Sequence, residues 1–286
     1  VLLHQPTTGY KKVMTDIYPE AGTNVASRYC IRKGDTAAAF GRCGIIIQQR
    51  FSLPPSDHLA LEVRTARAEI SAGGNVTITT ASEAPYGVRK QLAEAFLIPA
   101  GKIRVKVPLV GGGFGGKAPV NLEILAFLAS RSVGGKAVRL TIPREQDLAS
   151  MPCRLGLEAE IKLGLGQDGL IQAAEMTYWL DCGAYTDIAP YMAKAIAVDG
   201  SGPYQIENLA IDALCVYTNH TYATSYRSFA HESYTFCLER VMDMVARRSG
   251  LDPLDFRLRN AIRPGSLTPT QVLCTESLIG DLPACL

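Results

Sequence analysis

The chain has 286 residues, of which 47% are hydrophobic and 20% charged, the balance of a globular protein and not of a disordered one. Its 29 basic and 27 acidic residues leave a net charge of +2 with no long block of either sign, which argues against nucleic acid or an anionic membrane as the main partner. At roughly 150 residues per domain, the length suits one large domain or two ordinary ones.

No apolar run approaches the roughly 18 residues of a membrane span. Residues Val1–Pro6 show no basic region leading into an apolar segment, so no signal peptide is expected and the setting reads as cytoplasmic. Eight cysteines lie scattered between Cys30 and Cys285 without a C-x-x-C pair or a cluster with histidine. Reduced thiols are therefore expected, with no zinc, iron–sulfur or disulfide framework.

Asp35 and Gly41 bracket a short helix as cap and stop, and Ile45–Phe51 reads as a strand. Residues 67–70 and 75–80 form a hairpin around Ala72-Gly73-Gly74. Val88, Leu92 and Ala95 have helical spacing within 86–96, whereas Ile103, Val105, Val107 and Leu109 alternate as a half-buried strand. A glycine loop then leads into an apolar helix over 119–133 and a strand over 137–142. Leu157, Ala159, Ile161 and Leu163 alternate with charged residues, and 170–180 repeats the pattern beyond Gln167-Asp168-Gly169, as a long antiparallel hairpin would. An amphipathic helix over 236–246 stops at Gly250, Asp252-Pro253 opens another through Asn260, and the tail after Pro264 reads as irregular. The fold class is α+β, with mixed and antiparallel sheets packed with helices.

The strongest local signal is Gly111-Gly112-Gly113-Phe114-Gly115-Gly116-Lys117, between a strand and a helix. Such a loop brings backbone N–H groups and a helix N-terminus to one anion. A dinucleotide fingerprint belongs beside the first strand of a parallel sheet, with an acidic residue about 20 positions on, and neither condition holds. A P-loop requires Ser or Thr where Ala118 stands. A packed glycine turn without a ligand remains the alternative, and Phe114, lodged among glycines, speaks against it.

With its flanks, Leu109–Lys117 closely resembles the signature of the molybdenum-binding subunit of the xanthine dehydrogenase and aldehyde oxidase family. A second block resembles the same family: Tyr226-Arg227-Ser228-Phe229-Ala230-His231-Glu232, followed by Leu238-Glu239-Arg240 and by Asp252–Asn260. The resemblance implies a connector over 1–24, a first molybdopterin-binding half over 25–260 and an irregular segment over 261–286. It implies that Gly112, Gly113, Phe114, Gly115, Gly116 and Arg227 bind molybdenum–molybdopterin in its cytosine dinucleotide form. The metal would be held through the pterin dithiolene and by no protein ligand. Arg227 and Phe229 would act on the substrate, with Phe114, Ala118 and Phe229 lining its site. Arg227 is accordingly expected to be buried beside the glycine loop.

The implied reaction is oxidative hydroxylation of an N-heterocycle, xanthine-like, or of an aldehyde. Implied partners are a second molybdopterin-binding half, iron–sulfur and FAD subunits and the small substrate, with a homodimer also in view and neither nucleic acid nor membrane. Several positions depart from the family pattern. Ser56 stands where the family has Gln, Ala118 where many purine-oxidising members have Glu, and Ser228 and Ala230 replace two glycines. The catalytic-glutamate motif of the second half is absent from 260–286, so the chain alone should be inactive. A non-catalytic binding or assembly module is the rival reading.

Overall fold

The computed structural model describes residues 23–285, so the expected connector over 1–24 lies almost wholly outside the described residues. In chain order, β1 (Val25–Lys33), α1 (Thr36–Phe40) and β2 (Ile45–Leu53) come first. They are followed by β3 (Thr65–Ile70), β4 (Val76–Thr80), α2 (Pro85–Phe96), β5 (Ile103–Lys106), α3 (Leu122–Ser132), β6 (Val138–Thr141), α4 (Arg144–Ser150) and β7 (Cys153–Arg154). Next come β8 (Gly156–Leu165), β9 (Ile171–Asp181), α5 (Ala189–Asp199), β10 (Asn208–Val216) and β11 (Ala223–Thr224). Helices α6 (His231–Ser249) and α7 (Pro253–Asn260) precede two single turns, α8 (Glu276–Ile279) and α9 (Leu282–Cys285), which break up the tail expected to be irregular. The architecture is α+β. The described chain forms two compact units, one of residues 23–55, 155–220 and 228–285, the other of 56–154 and 221–227.

The first unit is built on a sheet of order β1-β10-β9-β8-β2. Strands β8 and β9 are the antiparallel hairpin that alternation foretells, and Leu157, Ala159, Ile161 and Leu163 are all buried. Strand β10 lies parallel to β9, a pairing that requires a crossover, and α5 supplies it. Helix α6 packs on β2 and β8, burying Leu238, Val241, Met242 and Val245 at three- and four-residue spacing. It starts at His231, five residues before the expected 236, because the polar His-Glu-Ser opening hides the first turn from a hydrophobicity pattern.

The second unit has a sheet of order β5-β4-β3-β6. Helices α2 and α3 cover one face, with Ala66, Ala68, Ile78, Leu92 and Phe127 at the centre of the core. Strand β5 ends at Lys106, ahead of the expected Leu109, because Pro108 has no N–H to donate to a ladder. Helix α3 begins at Leu122 instead of Pro119. Residues 107–121 therefore form a long irregular segment that carries the glycine loop.

The Asp252–Asn260 block has a structural purpose in the first unit. The Asp252 carboxylate accepts the N–H groups of Leu254 and Asp255 as the cap of α7. Arg257 ties α7 to α6 through Glu239 (2.6 Å) and Asp243 (3.0 Å). Buried Asn260 accepts the Ile171 N–H (2.8 Å) and donates to the carbonyls of Gly169 (3.1 Å) and Phe256 (2.9 Å), so one amide fastens α7 to the β8–β9 turn. Replacing Asn260 by Ala leaves those groups buried and unpaired, and should cost about 2 kcal/mol or more. The check is a lower denaturant midpoint at unchanged slope.

Candidate cofactor-binding site

Five glycines in seven positions leave the loop with almost no side chains to anchor it, and two carboxylates of the same unit hold it instead. Glu83 accepts the N–H of Gly115 through both oxygens (3.0 and 3.1 Å) and the N–H of Lys117 (2.9 Å). The backbone returns the contact, since the Glu83 N–H donates to the Lys117 carbonyl (3.0 Å). Glu62 accepts the Gly111 N–H (2.8 Å) and the ammonium of Lys117 (2.7 Å). Lys117 is buried, so its charge is balanced inside the loop and not offered to a phosphate.

Close packing explains two of the glycines. A Cβ on Gly113 would come within 2.5 Å of the Glu83 carboxyl carbon. Gly115 has φ of +98°, and a Cβ there would strike the Ser225 carbonyl. These glycines admit the protein's own carboxylate and carbonyl.

The loop amides divide into two sets. Those of Gly111, Gly115, Gly116, Lys117 and Ala118 are bonded within the protein, the Gly116 N–H to Gly113 O (2.9 Å) and that of Ala118 to Gly115 O (3.2 Å). Those of Gly112, Gly113 and Phe114 have no acceptor among the described residues. These three donors are successive, on a stretch whose φ is positive at Gly112 and at Phe114 but not at Gly113 between them. Phe114 itself is in the left-handed region (φ +56°) and is 44% exposed, an unfavourable backbone conformation for an aromatic residue, between the amides that Glu62 and Glu83 hold.

Behind the loop, Arg64 reaches the Gly116 carbonyl (2.8 Å) and pairs with buried Asp147. His58, only 6% exposed, packs against Gly116 and its Nε2 lies 2.7 Å from the Ser225 carbonyl. Burial pushes its pKa down, against the opposing pull of that carbonyl, so the ring is neutral near pH 7. The carbonyl can only accept, so Nε2 carries the proton and Nδ1 is a bare, buried acceptor without a partner among the described residues.

Arg227 meets the loop as expected in one respect and departs in another. Its backbone N–H donates to the Phe114 carbonyl (3.0 Å), which joins the two sequence blocks within one unit. Its side chain is exposed, contrary to the expected burial, because no described group accepts from the guanidinium and draws it inward. Ala118 is half-buried directly after Lys117. Exposed Ser56 pairs through its backbone with Arg154. Phe229 belongs to the other unit, in the turn that opens α6. There Ser228, Phe229 and Ala230 have φ of +84°, +57° and +69°. Glu83 and Glu62 are the loop-anchoring residues that pattern reading passes over; isolated acidic residues without periodicity give no signal.

Residues 17–261 match the family model of the molybdopterin cofactor-binding domain. The chain belongs to that family. It is 29% identical over 90% of its length to the nicotinate dehydrogenase large molybdopterin subunit of Eubacterium barkeri, covering 60% of that protein. It is 30% identical over 87% of its length to a probable xanthine dehydrogenase subunit from Bacillus subtilis, covering 33% of it. The aldehyde oxidoreductase structure from Desulfovibrio gigas superposes with a TM-score of 0.84 at 26% identity, over 91% of this chain and 28% of that one. The chain thus spans between about a quarter and three fifths of the length of these relatives. Among the described residues no His, Cys, Asp and Glu cluster could hold a metal directly, and no helix is long and apolar enough to cross a membrane.

Two measurements bear on this geometry. Burial raises the Glu62 pKa, but the Lys117 ammonium and the Gly111 amide outweigh it and hold the carboxyl below its ordinary value of 4.5. A depressed carboxylate stabilises the fold above the unfolded value and loses that contribution as pH falls through the folded value. Acid titration of stability should therefore be steeper below pH 4.5 in the wild type than in Glu62→Gln. Ser228→Gly should raise stability by about 1 kcal/mol, seen as a higher melting temperature, since left-handed backbone costs a residue with Cβ about that much.

Proposed function

We propose that this chain is the first molybdopterin-binding half of a molybdenum hydroxylase, contributing half of the cofactor and substrate site for oxidation of an N-heterocycle or an aldehyde. The observation that carries the proposal is the trio of free N–H groups at Gly112, Gly113 and Phe114, which fits an anionic, oxygen-rich cofactor in a chain of this family. Nicotinate dehydrogenase and aldehyde oxidoreductase among its relatives support the two substrate classes.

In this reading the three amides donate to cofactor oxygens, and Gly115 and Gly116, whose amides are already bonded, shape the surface on which it rests. When bound, molybdopterin in its cytosine dinucleotide form supplies a two-electron oxidant. The exposed Phe114 ring offers an apolar face that orients a planar substrate. The Arg227 guanidinium, unpaired and exposed, is free to pair with a carboxylate or with oxygen charge developing on the substrate. Ala118 brings no polar group, so recognition of a polar heterocycle falls to Arg227. The proton acceptor and the remaining cofactor contacts come from a second half, and electrons leave through iron–sulfur and FAD subunits, in a cytoplasmic assembly.

The test is to co-produce the chain with those components, measure molybdenum, and follow dye-coupled oxidation of nicotinate and of an aromatic aldehyde. A molybdenum-loaded complex should oxidise at least one of them, and Arg227→Ala should lower kcat/KM by about 100-fold without loss of metal. A loaded complex that oxidises neither would favour a non-catalytic assembly module.

A further inference from the structure

We infer that the outer edge of β5 is a docking surface for an extended, acidic strand of a partner protein, which adds to the sheet of the second unit and seats its apolar side chains between β5 and α2. The inference uses no amide of the glycine loop and stands apart from the cofactor reading. Strand β5 closes the order β5-β4-β3-β6 and pairs with β4 alone, in parallel. Every second residue of it therefore turns its N–H and C=O away from β4, and no other described residue bonds those groups. Beside this edge, Pro85, Tyr86 and Arg89 of α2 line a cavity of about 370 Å³ with Ile103, Val105 and Val107. The apolar alternation also outlasts the ladder. Val107 and Leu109 keep the spacing of Ile103 and Val105, yet they are 37% and 99% exposed, so the strand pattern continues where the described chain offers it no cover.

Charge selects the occupant. Arg104 and Lys106 are exposed on the sheet face opposite Ile103 and Val105, and neither has an acidic partner among the described residues. Arg89 has only the Tyr86 ring, 5.1 Å away. The register continues the basic face inward, since Lys106 is opposite Thr79, Thr79 opposite Arg67, and Arg67 opposite Arg139, with Glu69 the one carboxylate paired there. A second copy joined edge to edge would set Arg104 and Lys106 against the same cations, and like charges directly opposed destabilise a strand pair. A strand with Glu or Asp at alternate positions meets them with opposite charge and turns its intervening apolar residues toward the cavity. Basic residues also keep sheet edges from aggregating, but an edge built only to repel would not expose Val107 and Leu109. Pro108, without an N–H, ends the backbone pairing after Val107, so the bonded stretch is short and the side chains supply the specificity.

The test uses the full chain and a labelled, end-capped hexapeptide of alternating Glu and Val, followed by fluorescence anisotropy and by hydrogen–deuterium exchange. The peptide should bind and protect amides within 103–107, while β6, the other edge of the same sheet, exchanges as before. A peptide with Lys in place of Glu should bind about tenfold more weakly or worse. Peptides N-methylated at alternate residues, made in both registers, keep the side chains and charge, and one of the two should lose binding by a similar factor because it cannot pair along the facing edge. The double variant Arg104→Glu with Lys106→Glu should reverse the preference between the Glu and Lys peptides. Both positions are exposed, and the comparisons on the wild-type chain decide the matter even if that variant fails to fold. Failure of the Glu peptide to bind at millimolar concentration, or full-strength binding by both N-methylated peptides, would overturn strand addition. Protection of 103–107 that grows with the concentration of the chain alone would place a second copy on this edge and overturn the acidic partner.

Discussion

A glycine loop has no shape of its own, and here the shape comes from carboxylates that bind its amides. Each glycine in it loses more conformational entropy on ordering than any other residue would. Offsetting that loss takes directed, charge-assisted bonds, which Glu83 and Glu62 provide. Arg64, Asp147 and Lys117 then form a charged layer in which each ion has a partner, the condition under which buried charges are tolerated. Phe114, left-handed at φ +56°, lies between the Gly111 and Gly115 amides that Glu62 and Glu83 hold.

The second family block divides by physical role. Arg227 meets the loop through its main chain, whereas Asp252, Arg257 and Asn260 cap and fasten helices of the first unit. One block of sequence thus mixes a residue that meets the glycine loop with residues that hold the frame of the other unit. Ser228 and Ala230 show the same frame under stress. The turn keeps its left-handed backbone even though glycine is absent, so the surrounding contacts must outweigh a cost of about 1–2 kcal/mol per residue.

Sequence patterns disclose what depends on periodicity. The β8–β9 hairpin, the β3–β4 hairpin and helix α2 are readable because one face of each is apolar at a regular spacing. Strand β10 alternates as clearly, at Leu209, Ile211 and Ala213, and is open to the same reading. Helix α5 is not, because it is apolar on most of its circumference and resembles a strand or a core loop. The glycine loop is legible as a site, but its wiring is not. Glu62 and Glu83 lie 49 and 32 residues from the amides they hold, and no local rule links residues so distant. For the same reason the exposure of Arg227 escapes the sequence: a motif places a residue near a loop without saying which of its atoms makes the contact.

That distinction between main chain and side chain bears on how the chain's departures act. The free donors at Gly112, Gly113 and Phe114 are backbone groups, and none of them involves Ser56, Ala118 or Ser228. Substituting those residues changes side chains and leaves these backbone donors in place. In the proposed reading, cofactor binding would rest on backbone amides of the loop, and substrate choice on side chains such as those of Arg227 and Ala118. In that reading a change at position 118 would alter recognition while leaving the three free amides in place, because none of them belongs to its side chain.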